Sequence, residues 1–164
     1  MEDHFEYCAA LVRECNRDRY LATLFAPAEK RDALFALYAF DVEISRVRDL
    51  AREPMPGEIR LQWWREMLLG ERVGEAAANP VAAAVMEGLA QQGLSGEQLV
   101  DLLEAHRFDL YDEPMSDLDA LRSYALLTAG TIVELSAAML AGNLDPATTG
   151  FFAAAGDAQT IASI

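Results

Sequence analysis

Residues 41–49 read DVEISRVRD, and three oxygen-bearing side chains, Asp41, Ser45 and Asp49, recur every four positions. On a helix that period sets all three roughly along one face. Carboxylates on successive turns can grip a divalent cation and, through it, a diphosphate. Here a hydroxyl occupies the middle turn, and eight residues of helix put Asp41 and Asp49 about 12 Å apart along the axis. That is too far to share one ion. Arg46 and Arg52 both lie within a helical turn of Asp49, so ion pairing is another use for its charge. The residues alone leave two readings open: a solvated charged face, or a site for an anion or metal. Arg48 divides the same way, between a surface ion pair and a phosphate contact.

Other reactive side chains have ordinary explanations beside chemical ones. His106, in EAHRFDLYD, is expected to be a structural histidine, with acid–base work as the alternative. His4 is expected in solvent. Asp112 and Glu113 precede Pro114 and read as a solvated cluster ending a helix, with a residual metal contact beside Asp109 as the other option. Trp63 and Trp64 point about 100° apart on a helix, so core and groove should divide them. Cys8 and Cys15 are two turns, or about 10 Å, apart, too far for a disulfide within one straight helix. Two reduced packing residues are expected, and no C-x-x-C or H-E-x-x-H suggests zinc.

Charge narrows the partners. Lys and Arg total 13 against 27 Asp and Glu, a formal charge of −14. That balance repels nucleic-acid phosphates, and no basic stripe offsets it. An anionic substrate would need a metal or a local Arg cluster. The acidic start, MEDHFEYC, does not read as a signal peptide, which makes the cytoplasm the default.

The elements that must position these residues are helical. Apolar residues make up 52% of 164, enough for a core. Residues 3–16 carry an amphipathic period in Phe5, Cys8, Leu11 and Val12. A second helix opens at Pro27 and carries Leu34, Leu37, Tyr38, Ile44 and Val47 towards residue 52, where Pro54 and Pro56 end it. GEIRLQWWREMLLGE forms the next helix, stopping by Gly70. Pro80 opens an Ala-rich helix ending near Gly93. Ser95 and Gln98 form a capping-box pattern for a helix reaching about Leu110. YALLTAGTIVELSAAMLAG, residues 124–142, is long enough to span a bilayer, but Glu134 and its small residues favour a buried central helix. Asp145-Pro146 starts a last helix, still apolar at Ile164, so the sequence is expected to stop inside a helix. No β pattern or hairpin turn is present. The expectation is an all-α fold, with residues 1–164 forming a single, partial domain.

Several segments in order, RDRYLATLFAPAEKRDALFALYAF, RVRDL, LQWWREML and SYALLTAGTIVEL, resemble the squalene/phytoene synthase family across about residues 16–164. The resemblance implies an isoprenoid-synthase-type helical bundle around an apolar cavity, incomplete at its C-terminal end. In the family, acidic motifs at the cavity mouth hold Mg²⁺, which grips prenyl diphosphates. The family pattern after YAF is Cys-Arg, two variable residues, Asp-Asp, two variable residues, Asp. Asp41 and Val42 stand at the Cys-Arg positions, Ser45 and Arg46 at the paired aspartates, and Asp49 at the last. The resemblance implies metal contacts at Asp49 and Asp109, a catalytic role for Tyr124, and substrate contacts at Tyr38, Arg46, Arg48 and Val133. Arg46 would repel a metal but could bind phosphate directly. Val133 replaces a glycine and would narrow the cavity. Ser163 falls at the Asn of a second aspartate motif whose remaining positions lie past Ile164.

The style of DVEISRVRD and LQWWR resembles a branch with degenerate motifs that includes mitochondrial complex I assembly factors. That branch implies lost catalysis, retained binding of a prenyl lipid, and a role in assembly or chaperoning. Respiratory-complex subunits would be partners, with peripheral contact at an inner membrane. The alternative is an active Mg²⁺-dependent prenyltransferase joining two prenyl diphosphates head to head.

Overall fold

A computed structural model describes residues 3–51, 53–111, 113–142 and 148–163. All regular elements among them are helical. Helix α1 spans His4–Cys15, α2 Arg17–Thr23, α3 Ala28–Ser45, α4 Val47–Leu50, α5 Pro54–Leu68, α6 Val73–Ala76, α7 Pro80–Gln91 and α8 Glu97–His106. A 3₁₀ turn at Phe108–Leu110 leads to α9 (Leu118–Ala125), a π-helical segment (Leu126–Gly130), α10 (Thr131–Ala141) and α11 (Thr149–Ser163).

Short polar side chains start several helices by accepting hydrogen bonds from otherwise unpaired backbone N–H groups. Asp3 accepts from Phe5 at 3.1 Å, Asn16 from Arg19 at 3.2 Å, Asn79 from Val81 and Ala82 at 2.9 and 3.0 Å, and Asp117 from Ala120 at 2.8 Å. Pro80 occupies the first turn of α7, where its missing N–H costs nothing.

Helix α3 is the central element, packed by α1 and α7 on one side and approached by α10. It buries Leu34, Leu37, Phe40 and Ile44. Trp64 of α5 is 1% exposed and meets Phe40 edge-on at 5.1 Å, while Trp63 is only half-buried. The adjacent tryptophans therefore divide between core and surface as their angular offset requires. Cys8 is buried, Cys15 exposed, and both are free thiols.

Three expected boundaries shift. The helix carrying the acidic stretch does not run unbroken to residue 52. It closes at Arg46 (φ −89°, ψ −4°) and resumes as α4. Ser45 helps: its hydroxyl donates back to the Asp41 carbonyl at 2.7 Å, a bond that bends helices. Pro54 and Pro56 do not terminate this helix but lie in α5, which begins at Pro54. The cap of α8 falls at Gly96, and Ser95 accepts from the Glu97 N–H at 3.2 Å. Arg52, Asp112, Asp145 and Pro146 lie outside the described residues, as does Ile164.

Leu118–Ala141 forms one 24-residue helical run, long and apolar enough by length and composition to cross a bilayer. It is covered on one side only, not buried all round. Ile132, Leu135 and Met139 enter the core, whereas Leu126, Leu127 and Leu140 are exposed. Helix α11 lies against the π-helical segment at unusually close range. A Cβ on Gly156 would sit 2.8 Å from the Gly130 Cα.

Candidate functional site

The polar residues converge on a cavity of about 350 Å³ walled by five parts of the chain. Asn16 and Arg19 come from the start of α2, Asp41 and Ser45 from the end of α3, His106 and Asp109 from the α8–3₁₀ junction. Tyr124, Thr128 and Ala129 come from α9 and the π-helical segment, and Gln159 and Thr160 from α11. The wider π turn contributes to this wall, and such turns are common at functional sites.

Asp109 is the hub. It accepts from the Tyr124 hydroxyl at 2.8 Å and from His106 Nδ1 at 2.7 Å. The three-residue offset from His106 to Asp109 folds them together across the tight turn that ends α8. Tyr124 is anchored in turn, because Thr128 donates to its carbonyl at 2.8 Å. Burial pushes the Tyr124 phenol well above its ordinary pKa, and the negative charge of Asp109, the hydrogen bond to it and the charge of Asp41 push the same way. The phenol thus holds its proton and offers it to Asp109. His106 is buried, and its Nε2 has no hydrogen-bond partner among the described residues.

Across the cavity, Arg19 pairs with Asp41, with both side chains less than one-fifth exposed. The Arg19 guanidinium also stacks over the Tyr38 ring, 4.9 Å from its centroid. Arg19 is the cation lining this cavity among the described residues, and its charge is already matched.

Among the residues singled out from sequence, Asp41, Ser45, His106, Asp109 and Tyr124 meet in this cavity, and Tyr38 supports Arg19 beside it. Arg46, Arg48, Asp49 and Val133 are not among its lining residues. The break after Ser45 explains the first three: Arg46 turns to Cys15, its Nη1 donating to Sγ at 3.6 Å, and Arg48 and Asp49 are exposed on α4. Val133 is half-buried on α10. The side chain of Ser163 lies outside the described residues. Sequence reasoning passed over Asn16, Arg19, Gln159 and Thr160, and gave His106 a structural role. The His-x-x-Asp spacing at 106–109 was the available signal; nothing local marks Arg19 as Asp41's partner.

A Mg²⁺ cluster needs several carboxylate oxygens turned to one point. No group of three or more His, Cys, Asp or Glu residues among those described is arranged to hold a metal. Asp41 is tied to Arg19, Asp109 to Tyr124 and His106, and Asp49 is exposed on α4 and does not line the cavity. The described donor set does not fit the ion.

This helical bundle has the isoprenoid-synthase class of fold. The structure superimposes on a crystal structure of a dehydrosqualene synthase in complex with ligand at a TM-score of 0.78 and 22% identity, covering 98% of this chain and 55% of that one. The squalene/phytoene synthase family model matches residues 12–164, and the chain belongs to that family. It is 29% identical over 138 residues to NADH dehydrogenase (ubiquinone) complex I, assembly factor 6 from Homo sapiens, covering 84% of this chain and 41% of that protein. It is 27% identical over 147 residues to phytoene synthase from Arthrospira platensis, covering 88% of this chain and 46% of that protein. The chain thus spans less than half the length of these two relatives.

Proposed function

We propose that this chain belongs to a catalytically degenerate squalene/phytoene synthase-like protein that assists assembly or chaperoning of a respiratory complex and retains a site for a prenyl lipid. The observation that carries the reading is the state of the acidic residues. Where the family pairs two aspartates, this chain has Ser45 and Arg46, and the carboxylates at its cavity are held by the chain's own donors. The assembly-factor relative from Homo sapiens supports the same direction.

The second reading is an active Mg²⁺-dependent prenyltransferase. It is favoured by the phytoene synthase relative and by the contact between Tyr124 and Asp109. One assay separates the two. Purified protein incubated with farnesyl or geranylgeranyl diphosphate and Mg²⁺ releases no pyrophosphate under the first reading and releases it steadily under the second. The first reading also expects respiratory-complex subunits to co-purify. It places the protein in the cytoplasm with peripheral contact at an inner membrane, supported by the half-uncovered apolar run Leu118–Ala141. Membrane fractionation with an alkaline wash tests that placement: a peripheral protein is released and an integral one stays.

A further inference from the structure

Thr160 lines two cavities. One is the polar chamber around Asp109. The other, of about 300 Å³, is a groove between α9 and α11 lined by Leu118, Leu121, Ala125 and Ile161, with Arg122 and Asp157. A polar chamber and an apolar groove meeting at one side chain suit an amphiphile with a compact head and a hydrocarbon chain.

The chamber's charges select the head. Its lining holds Arg19, Asp41 and Asp109, and Arg19 is already matched by Asp41. A diphosphate would face the remaining carboxylate with no unmatched cation among the described lining residues. A neutral hydroxyl meets the opposite situation. The Asp109 and Asp41 carboxylates each have lone pairs for more than the bonds shown, and the Tyr124 oxygen still has acceptor capacity while its proton points at Asp109. With two carboxylates and one matched arginine in its lining, the chamber favours a neutral ligand that donates to a carboxylate over an anion.

We propose that the two cavities form one site for a neutral isoprenoid bearing a hydroxyl head group, with the hydroxyl against Asp109 and Tyr124 and the chain crossing Thr160 into the Leu118–Leu121–Ile161 groove. This rests on the reading that catalysis has been lost, and it names the ligand class of the retained site. The head contacts are hydrogen bonds to the chain's own carboxylate and phenol, so binding needs no divalent ion.

Calorimetric titration of the purified protein with geraniol and with geranyl diphosphate, each with and without Mg²⁺, tests the assignment. Geraniol is expected to bind at least tenfold more tightly than geranyl diphosphate, with an affinity indifferent to Mg²⁺. Thr160→Phe, which fills the junction, should weaken geraniol binding at least tenfold. Ile161→Glu places a charge on an exposed groove position where folding is not at stake, and should weaken it comparably. Asp109→Asn should narrow the preference for the alcohol by removing the charge that repels diphosphate. Tighter binding of the diphosphate, dependence on Mg²⁺, no measurable geraniol binding, or indifference to Ile161→Glu would each overturn the proposal. Pyrophosphate release during the titration would instead sink the loss of catalysis itself. Tight diphosphate binding without release would overturn the ligand class and leave that loss standing.

Discussion

Replacing Gly156 with Ala should loosen the helix that closes the cavity. In α11 this glycine faces the π-helical segment, and an added methyl would lie 2.8 Å from both the Cα and the N of Gly130 and 3.1 Å from the Ala125 carbonyl oxygen. These are backbone atoms, so no side chain can rotate away. The helices must separate by several tenths of an ångström, and a gap of that order forfeits a sizeable part of each dispersion contact along the seam. Overpacking of this kind costs about 1–3 kcal/mol. Alanine returns up to about 1 kcal/mol through its better helix propensity. With the full return, the net loss is up to about 2 kcal/mol. Gly150, in the first turn of the same helix, has nothing within 4 Å of its would-be Cβ. Gly150→Ala should therefore keep the propensity gain, about 0.5 kcal/mol, without the clash. Urea denaturation followed by far-UV circular dichroism compares the two variants. Opposite signs are expected from one chemical change in one helix. If Gly156→Ala proves as stable as Gly150→Ala, the close seam is not a feature of the folded protein.

Trp64→Ala should cost about 3–5 kcal/mol in the same urea titration, because it empties a fully buried site and removes edge-to-face contacts with Phe40 and Trp63. Arg19→Ala should cost about 2–3 kcal/mol, below the range for a fully buried pair because both partners keep some exposure, whereas Arg19→Lys should recover part of that loss by keeping the charge without the planar stack on Tyr38. Burial, reinforced by Glu43 and Asp3, pushes the Cys8 thiol up from 9.0 to about 12. Between those values the unfolded chain loses this proton while the folded chain keeps it, so stability present below pH 9 falls as pH rises, by up to about 1.4 kcal/mol per pH unit. Cys8→Ala should remove that component, seen as a shallower decline in urea midpoint from pH 9 to 11.

The helical architecture was legible because its signals are local. The period of Phe5, Cys8 and Val12 and the proline at the start of α7 each act within a turn or two. The resemblance carried the fold further, to a helical bundle around an apolar cavity, and it singled out Tyr124 and Asp109, which the structure brings together in a polar chamber. What stayed hidden depends on long-range placement. Arg19 and Asp41 are 22 residues apart and meet only because α2 folds back across α3. Gln159 and Thr160 reach the cavity because two glycines let α11 approach the π-helical segment. The bend after Ser45 was also unreadable as a pattern, since residues 41–49 have good helical periodicity. The helix nonetheless closes at Arg46, just after Ser45 bonds back to the Asp41 carbonyl, and Asp49 does not join Asp41 in the cavity lining.

Internal pairing bears on how such a cavity can hold its shape without an ion. Two carboxylates facing one small chamber repel each other and lose hydration, so without a compensating ion each needs a donor from the protein. Here Arg19 serves Asp41, and Tyr124 with His106 serves Asp109. Each such bond occupies a lone pair that a metal would require and fixes the carboxylate in an orientation set by its protein partner. Arg46, at a position where the family has an aspartate, is turned to Cys15 and adds no charge to the cavity lining. The chamber is therefore stable through internal pairing. A cavity whose carboxylates are paired by its own walls can keep its shape without an ion, and a scaffold of that kind is available for binding that does not depend on one.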